Sequence, residues 1–246
     1  MSYYLGFSCL SGIAKKRNSD EKKKREINKY ILSRFCNKPI EEIDIGAEAG
    51  GRPFANKGDF DFNISDSGHL TAITFVNGAN LRTGCDIERI YPRPGAAGIA
   101  NEFFSDSEIK YLYSSGSFNV EKFYEIWTLK ECFIKLRGLS VFDMANVPSF
   151  VNDDELVFGV AVSLPLSFGL FELVNNAKTS EHYMAATVIE GIQQQPIIKW
   201  FSQYTLDCRK RAEIYAAPAD QMTFLPFQRK PFPKTVMNHD QNDIYK

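Results

Sequence analysis

The stretch Phe123–Gly138, FYEIWTLKECFIKLRG, decides how the rest of the chain is read. Its apolar residues Phe123, Ile126, Trp127 and Ile134 recur at three- and four-residue spacing with no internal proline. That spacing predicts a partly buried helix closed by Gly138. Successive helical residues turn by about 100°, so Trp127, Glu131 and Lys135 stack along nearly one line, with Lys130 beside them. Alone, this pattern is also that of a surface Glu–Lys pair worth roughly a few tenths of a kcal/mol.

A second acidic stretch upstream, Leu81–Arg89 (LRTGCDIER), changes the weighing. In a strand, Cys85 and Ile87 alternate with Asp86 and Glu88, so both carboxylates point to one face. A solvated polar face is the plain reading of such a strand. The other is a cation site, because a divalent ion relieves the repulsion between the acids. Asp86, Glu88 and a carboxylate from a facing helix, such as Glu131, make an all-oxygen set. Hard oxygen ligands with room for water suit Mg²⁺ rather than Zn²⁺, and Mg²⁺ held this way completes its shell with substrate phosphate.

Gly84-Cys85-Asp86-Ile87-Glu88, followed about forty residues later by Trp127-x-x-Lys130-Glu131-x-x-x-Lys135, resembles the 4′-phosphopantetheinyl transferase superfamily. The paired motifs there are G-[VI]-D-x-E and W-x-x-K-E-[AS]-x-x-K. Cys85 and Cys132 are the two departures. The length and upstream segments are similar to the monomeric surfactin-synthetase type. The resemblance implies an α+β fold of two similar halves related by a pseudo-twofold, about residues 1–92 and 93–191, with the coenzyme in the cleft between them. Residues 192–246 would then be a C-terminal extension packed on the domain.

The composition is that of a globular protein, with 246 residues, 44% hydrophobic, 24% charged and a net charge of −1. A core of one large or two small domains is within reach. No apolar run approaches the ~18 residues of a membrane span and no signal peptide is visible, so a cytoplasmic, membrane-free protein is expected. The near-neutral balance gives no reason to expect nucleic acid as a partner. Five scattered cysteines read as reduced thiols. The three histidines have no zinc-type spacing, and no G-x-S-x-G or P-loop occurs.

Residues 2–10 read as an edge or opening strand. Ser19-Asp20-Glu21 offers an N-cap for a helix to about Phe35, with Ile27, Tyr30, Ile31 and Leu32 as its stripe. Lys15, Lys16, Arg17, Lys22, Lys23, Lys24, Arg25 and Lys29 crowd its start. Each reads as a solvated charge, and together they form a patch suited to phosphate or an acidic protein. Ile43–Ile45 reads as a short strand. The turn Gly50-Gly51-Arg52-Pro53 resembles the family's G-K-P motif, which implies that Gly51, Arg52 and Pro53 border the coenzyme's nucleotide. DFNISDS, Asp61–Ser67, resembles F-N-[IVL]-S-H-S and implies coenzyme contacts at Ser65 and residue 66. Asp66 stands where the family has His, and a carboxylate there repels phosphate by about 1 kcal/mol or more at ~4 Å. Three arrangements are open. Asp66 turns away while Arg52, Ser65 or His69 makes the contact; it pairs with an N-terminal lysine; or coenzyme A is held weakly.

Leu70–Val76 reads as a buried strand, paired with Leu81–Glu88 through the turn Asn77–Asn80 as a hairpin. Tyr91–Gly95 (YPRPG) marks the boundary between halves. Ser105 and Glu108 form a capping box. Strands are expected at Glu155–Val162, Phe168–Val174 and His182–Ile189. In the tail, Trp200, Phe201, Tyr204 and Leu206 suggest packing, as a strap across the domain or as a docking element for a carrier protein.

The activity implied by the resemblance is transfer of 4′-phosphopantetheine from coenzyme A to a serine of an apo acyl or peptidyl carrier protein, releasing 3′,5′-ADP. Mg²⁺ (or Mn²⁺) would be held by Asp86, Glu88 and Glu131. Glu131, or a metal-bound water beside it, is the implied base, Lys135 the group that meets the phosphate, and Lys130 an orienting residue. The alternative is a coenzyme A-binding protein of the same fold without transferase activity.

Overall fold

The computed structural model describes residues 2–9, 17–48, 51–56, 59–159, 162–174, 181–201 and 206–216. Strand β1 (Ser2–Cys9) precedes helix α1 (Arg17–Cys36), a 3-10 turn and the short pair β2 (Ile45–Ala47) and β3 (Pro53–Ala55). Strands β4 (Phe60–Ser67), β5 (Leu70–Asn77) and β6 (Arg82–Arg89) follow. Helices α2 (Ala96–Phe103), α3 (Asp106–Leu112) and α4 (Val120–Arg137) come next. A second 3-10 turn and the small hairpin β7 (Val151–Asn152) and β8 (Glu155–Leu156) lead to β9 (Leu166–Val174), β10 (His182–Glu190), β11 (Ile197–Trp200) and β12 (Asp207–Ala216).

The result is an α+β molecule with two four-stranded sheets, ordered β11-β1-β5-β4 and β12-β9-β10-β6. Helix α1 covers the first sheet, where Ile31 and Leu32 pack on Phe62, Ile73 and Phe75. The two sheets share a core in which Leu5, Phe7, Leu70 and Ala72 meet Cys85, Ile87, Phe171, Leu173 and Tyr183. Helix α4 covers the second sheet through Phe123, Ile126, Leu129 and Leu136, packed with Phe168, Met184, Ala186 and Val188. Asn119 caps α4 by accepting the Lys122 N–H at 3.0 Å. Gly138 closes it in the left-handed region at φ 68°, where a side chain would be strained.

Several expectations are corrected. The β5–β6 hairpin does not form, because β5 already has β1 and β4 on its two edges. The chain crosses to the other sheet, where β6 runs antiparallel to β10 with Asp86 opposite Ala186 and Glu88 opposite Met184. Strand β1 is interior rather than an edge, since β11 joins it in parallel. Among the described residues of the expected 155–162 run, Glu155–Leu156 is strand and 157–159 are not. Helix α1 begins at Arg17, within the residues expected to precede it. The described part of the tail adds a strand to each sheet, and Arg211 reaches back from β12 to the buried Glu125 of α4 at 2.9 Å. Lys15, Lys16 and Tyr204, and the tail beyond residue 216, lie outside the described residues.

Candidate active site

Strand β6 is the edge of its sheet, and an edge strand presents a row of unpaired backbone groups. Side chains of β4 meet that row at three places. The Thr83 N–H donates to Asp61 Oδ2 at 2.8 Å, the Cys85 N–H to Asn63 Oδ1 at 3.2 Å and the Arg89 N–H to the Ser67 hydroxyl at 2.9 Å. Phe62 and Ile64 point the other way, into the α1 core. The polar face of DFNISDS therefore fastens one sheet to the edge of the other, while its apolar face holds the first sheet's helix. Helix α4 crosses β6 at Gly84, where a Cβ would lie 2.5 Å from the Cys132 carbonyl oxygen and 2.9 Å from the Leu136 nitrogen. Only glycine allows that approach, and it is what brings Glu131 and Lys135 over Asp86 and Glu88.

Asp86 is buried, with 3% of its surface exposed. Its Oδ1 accepts from Lys135 Nζ at 2.6 Å and from the Ser65 hydroxyl at 2.7 Å, and Lys135 also donates to Ser65 at 2.7 Å. Its Oδ2 is buried with no hydrogen-bond partner among the described residues. Glu88 accepts from Ser67 at 3.0 Å. Burial, and then the Asp86 charge, raise the Glu88 carboxyl above its usual range. The same two causes push Glu131 from 4.5 up to about 7, against the pull of Lys135. Burial works against charge on Lys135, but Asp86 beside it outweighs that and holds the ammonium well above its usual value.

Asp86, Glu88, Glu131 and Lys135 are thus brought together. Among the described residues no three acid, histidine or cysteine side chains converge into a ready-made metal shell. The chemistry of the site nevertheless fits a divalent cation. A buried carboxylate oxygen lacks any donor, and two neighbouring carboxyls are raised by burial and mutual repulsion. Hard oxygens with excess negative charge are the donors that Mg²⁺ and Mn²⁺ take.

Other expected site residues stand elsewhere. Lys130 points away from the acids, because adjacent helical residues diverge by about 100°. It is buried beside Glu108 at 3.2 Å and donates to the Val147 carbonyl at 3.1 Å. The capping-box glutamate Glu108 also accepts from Ser105 N and Phe150 N, each at 2.8 Å, so this pair is a structural element. Arg52 is equally internal, with its guanidinium joined to Asp61 and to the Lys135, Thr83 and Pro53 carbonyls. Asp66 faces Lys24 at 3.5 Å and accepts from the Thr71 hydroxyl, which is the lysine-paired arrangement. His69 lies against Glu181 and Tyr183, each at 3.2 Å. Gly51 is exposed at φ 82°, and Pro53 begins β3. No disulfide is found among the described residues, and Cys85 and Cys132 are fully buried. Sequence reading missed Asp61, Asn63 and Ser67, although their period-two alternation with Phe62 and Ile64 was a visible signal.

With this geometry in view, comparison with known proteins gives the class. Residues 82–187 match the family model of the 4′-phosphopantetheinyl transferase superfamily, the segment holding β6, α4 and β10. The chain is 34% identical over 131 residues to the 4′-phosphopantetheinyl transferase psf-1 of Bacillus pumilus, covering 51% of this chain and 53% of that one. It is 35% identical over 114 residues to AcpT of Escherichia coli O157:H7, covering 45% and 56%. It is 35% identical over 123 residues to gsp of Aneurinibacillus migulanus, covering 49% and 48%. Both carry the name 4′-phosphopantetheinyl transferase. The matches span about half the length of these relatives. No helix among the described residues is long and apolar enough to cross a membrane.

Proposed function

We propose that the protein transfers 4′-phosphopantetheine from coenzyme A to the hydroxyl of a serine on an apo acyl or peptidyl carrier protein. The observation that carries this reading is the buried, donor-less Oδ2 of Asp86 set among Glu88, Glu131 and Lys135. Asp86, Glu88 and Glu131 would hold Mg²⁺, which supplies charge stabilisation for the pyrophosphate when bound. Lys135 presents its ammonium, kept charged by Asp86, to the phosphate oxygens at which charge develops. Ser65 and Lys135 both engage Asp86 Oδ1, so Oδ2 is the oxygen left without a donor. The serine oxygen bonds to the β-phosphorus as the bond to the departing 3′,5′-ADP breaks. Glu131, or a water beside it, would take the serine proton; as a metal ligand its carboxyl would be lowered from the raised position that burial and Asp86 give it, which favours the water. Lys130 has no part in the reaction.

The two sheets, each with its helix, are read as the halves that flank the coenzyme, with β6 crossing into the second sheet and β11 into the first so that the halves do not divide at one point near residue 92, and with the protein acting as a monomer. Lys24 lies 3.5 Å from Asp66, which weakens one of the two sequence features, the other being the diverged N-terminus, that favoured a binding protein without activity. The test is incubation with apo carrier protein, coenzyme A and Mg²⁺, followed by intact-mass measurement. A mass gain of one phosphopantetheine group on the carrier, lost without Mg²⁺, is the expected result. An unmodified carrier from several sources would refute the transferase reading.

A further inference from the structure

Arg52 stands where the family resemblance implies a coenzyme contact, yet its guanidinium is spent inside the protein. Its side chain is 3% exposed. A guanidinium has five N–H donors. Nε donates to the Lys135 carbonyl at 3.1 Å. Nη1 donates to Asp61 Oδ1 at 3.1 Å and to the Pro53 carbonyl at 3.3 Å. Nη2 donates to Asp61 Oδ2 at 2.5 Å and to the Thr83 carbonyl at 2.9 Å. Asp61 Oδ2 accepts the Thr83 N–H as well, at 2.8 Å. All five donors are taken, and none is left for a phosphate.

What the guanidinium joins is more telling. Asp61 lies on β4, the strand that carries Ser65. Thr83 lies on β6, three residues before Asp86. The Lys135 carbonyl belongs to the residue whose ammonium meets both Ser65 and Asp86. One planar cation therefore bonds to the three elements that each supply one member of the Ser65–Asp86–Lys135 triangle. It also places positive charge at the C-terminal turn of α4, where the helix dipole favours it. A lysine has one point of charge and cannot span these directions.

We propose that Arg52, locked by Asp61, is a positioning residue: it sets the register of β4, β6 and the last turn of α4 so that Lys135 Nζ is aimed at the reacting phosphate. This rests on the transferase reading above. Displacement of a reacting group by about 1 Å costs on the order of 10²-fold in rate. The pair should therefore act on turnover and not on coenzyme affinity.

The test is steady-state kinetics of the full chain with apo carrier protein, coenzyme A and Mg²⁺, beside amide hydrogen exchange of the free protein. Arg52→Ala is expected to lower kcat by about 10–100-fold with KM for coenzyme A within about two-fold of the parent. Faster exchange should appear at residues 135–139 and not at 127–132. Arg52→Lys should show the same split to a smaller degree. A raised KM with unchanged kcat would make Arg52 a phosphate contact and overturn the proposal. So would a lowered melting temperature with both kinetic constants intact. Should Arg52→Ala fail to fold, Asp61→Asn, which keeps shape and one acceptor, carries the same expectations. Exchange needs no turnover, so an inactive parent would sink the transferase reading alone, and local exchange at 135–139 would still decide this one.

Discussion

Two lysine–carboxylate pairs sit little more than one turn apart on α4 and do opposite things. Lys130 and Glu108 meet at 3.2 Å in the core, with side chains 1% and 0% exposed. Lys135 and Asp86 meet at 2.6 Å, with side chains 28% and 4% exposed. The first pair is complete: both Glu108 oxygens accept backbone N–H groups, and Lys130 has a carbonyl besides. The second is incomplete, because Asp86 Oδ2 has nothing to accept from and two further carboxyls crowd it. A fully satisfied ion pair fixes a fold. One with a buried oxygen left over, beside a lysine that is partly exposed, is poised to take a ligand.

The largest effect separating the two is on turnover. Asp86→Ala should reduce phosphopantetheine transfer by about 10³-fold or more while the circular dichroism spectrum is kept, and Lys135→Ala by about 10²–10³-fold. Turnover near the parent level in either would remove that residue from the reaction. Lys130→Met should do the reverse. It strands a buried carboxylate, at a cost of about 3–5 kcal/mol in denaturant unfolding, while activity per folded molecule stays near that of the parent. Equal losses of stability from Lys130→Met and Lys135→Met would erase the contrast.

Gly84→Ala comes next, since it pushes the Cys132–Leu136 turn of α4 off β6. An expected cost of about 1–3 kcal/mol should come with a loss of activity, and unaltered melting would show that the helix has room to shift. The smallest effect is on pH dependence. A carboxyl raised in the folded state favours its neutral form, so its ionisation opposes folding. Metal-free protein should lose stability as pH rises from about 4.5 to about 7, the span between the ordinary and shifted values of Glu131, and level off above. Millimolar Mg²⁺ should flatten that slope at the alkaline end. A melting temperature independent of pH without metal would contradict the crowding of the acids.

The contrast also marks what the sequence made legible. The line of Trp127, Glu131 and Lys135 and the alternation of Asp86 with Ile87 are local periodicities, and the structure keeps both. Gly138 closes the helix by a local rule as well, whereas the cap Asn119 and the first turn from Val120 went unread. What local pattern could not reveal was long-range pairing. The turn at 77–80 looks like a hairpin, but the occupied edges of β5 send β6 to β10 instead. Lys130 shares a motif with Glu131 and Lys135, and only the tertiary position of Glu108 shows that it belongs to the core. Arg52 reads as a phosphate ligand until Asp61 is seen facing it.

The central claim is that the unfilled oxygen of Asp86 marks a cation site, and Mn²⁺ binding followed by electron paramagnetic resonance tests it directly. With coenzyme A present, the parent protein should quench the free Mn²⁺ signal with about one equivalent bound, Asp86→Asn should leave it free, and Lys130→Met should bind as the parent does. Undiminished Mn²⁺ binding by Asp86→Asn would contradict the account.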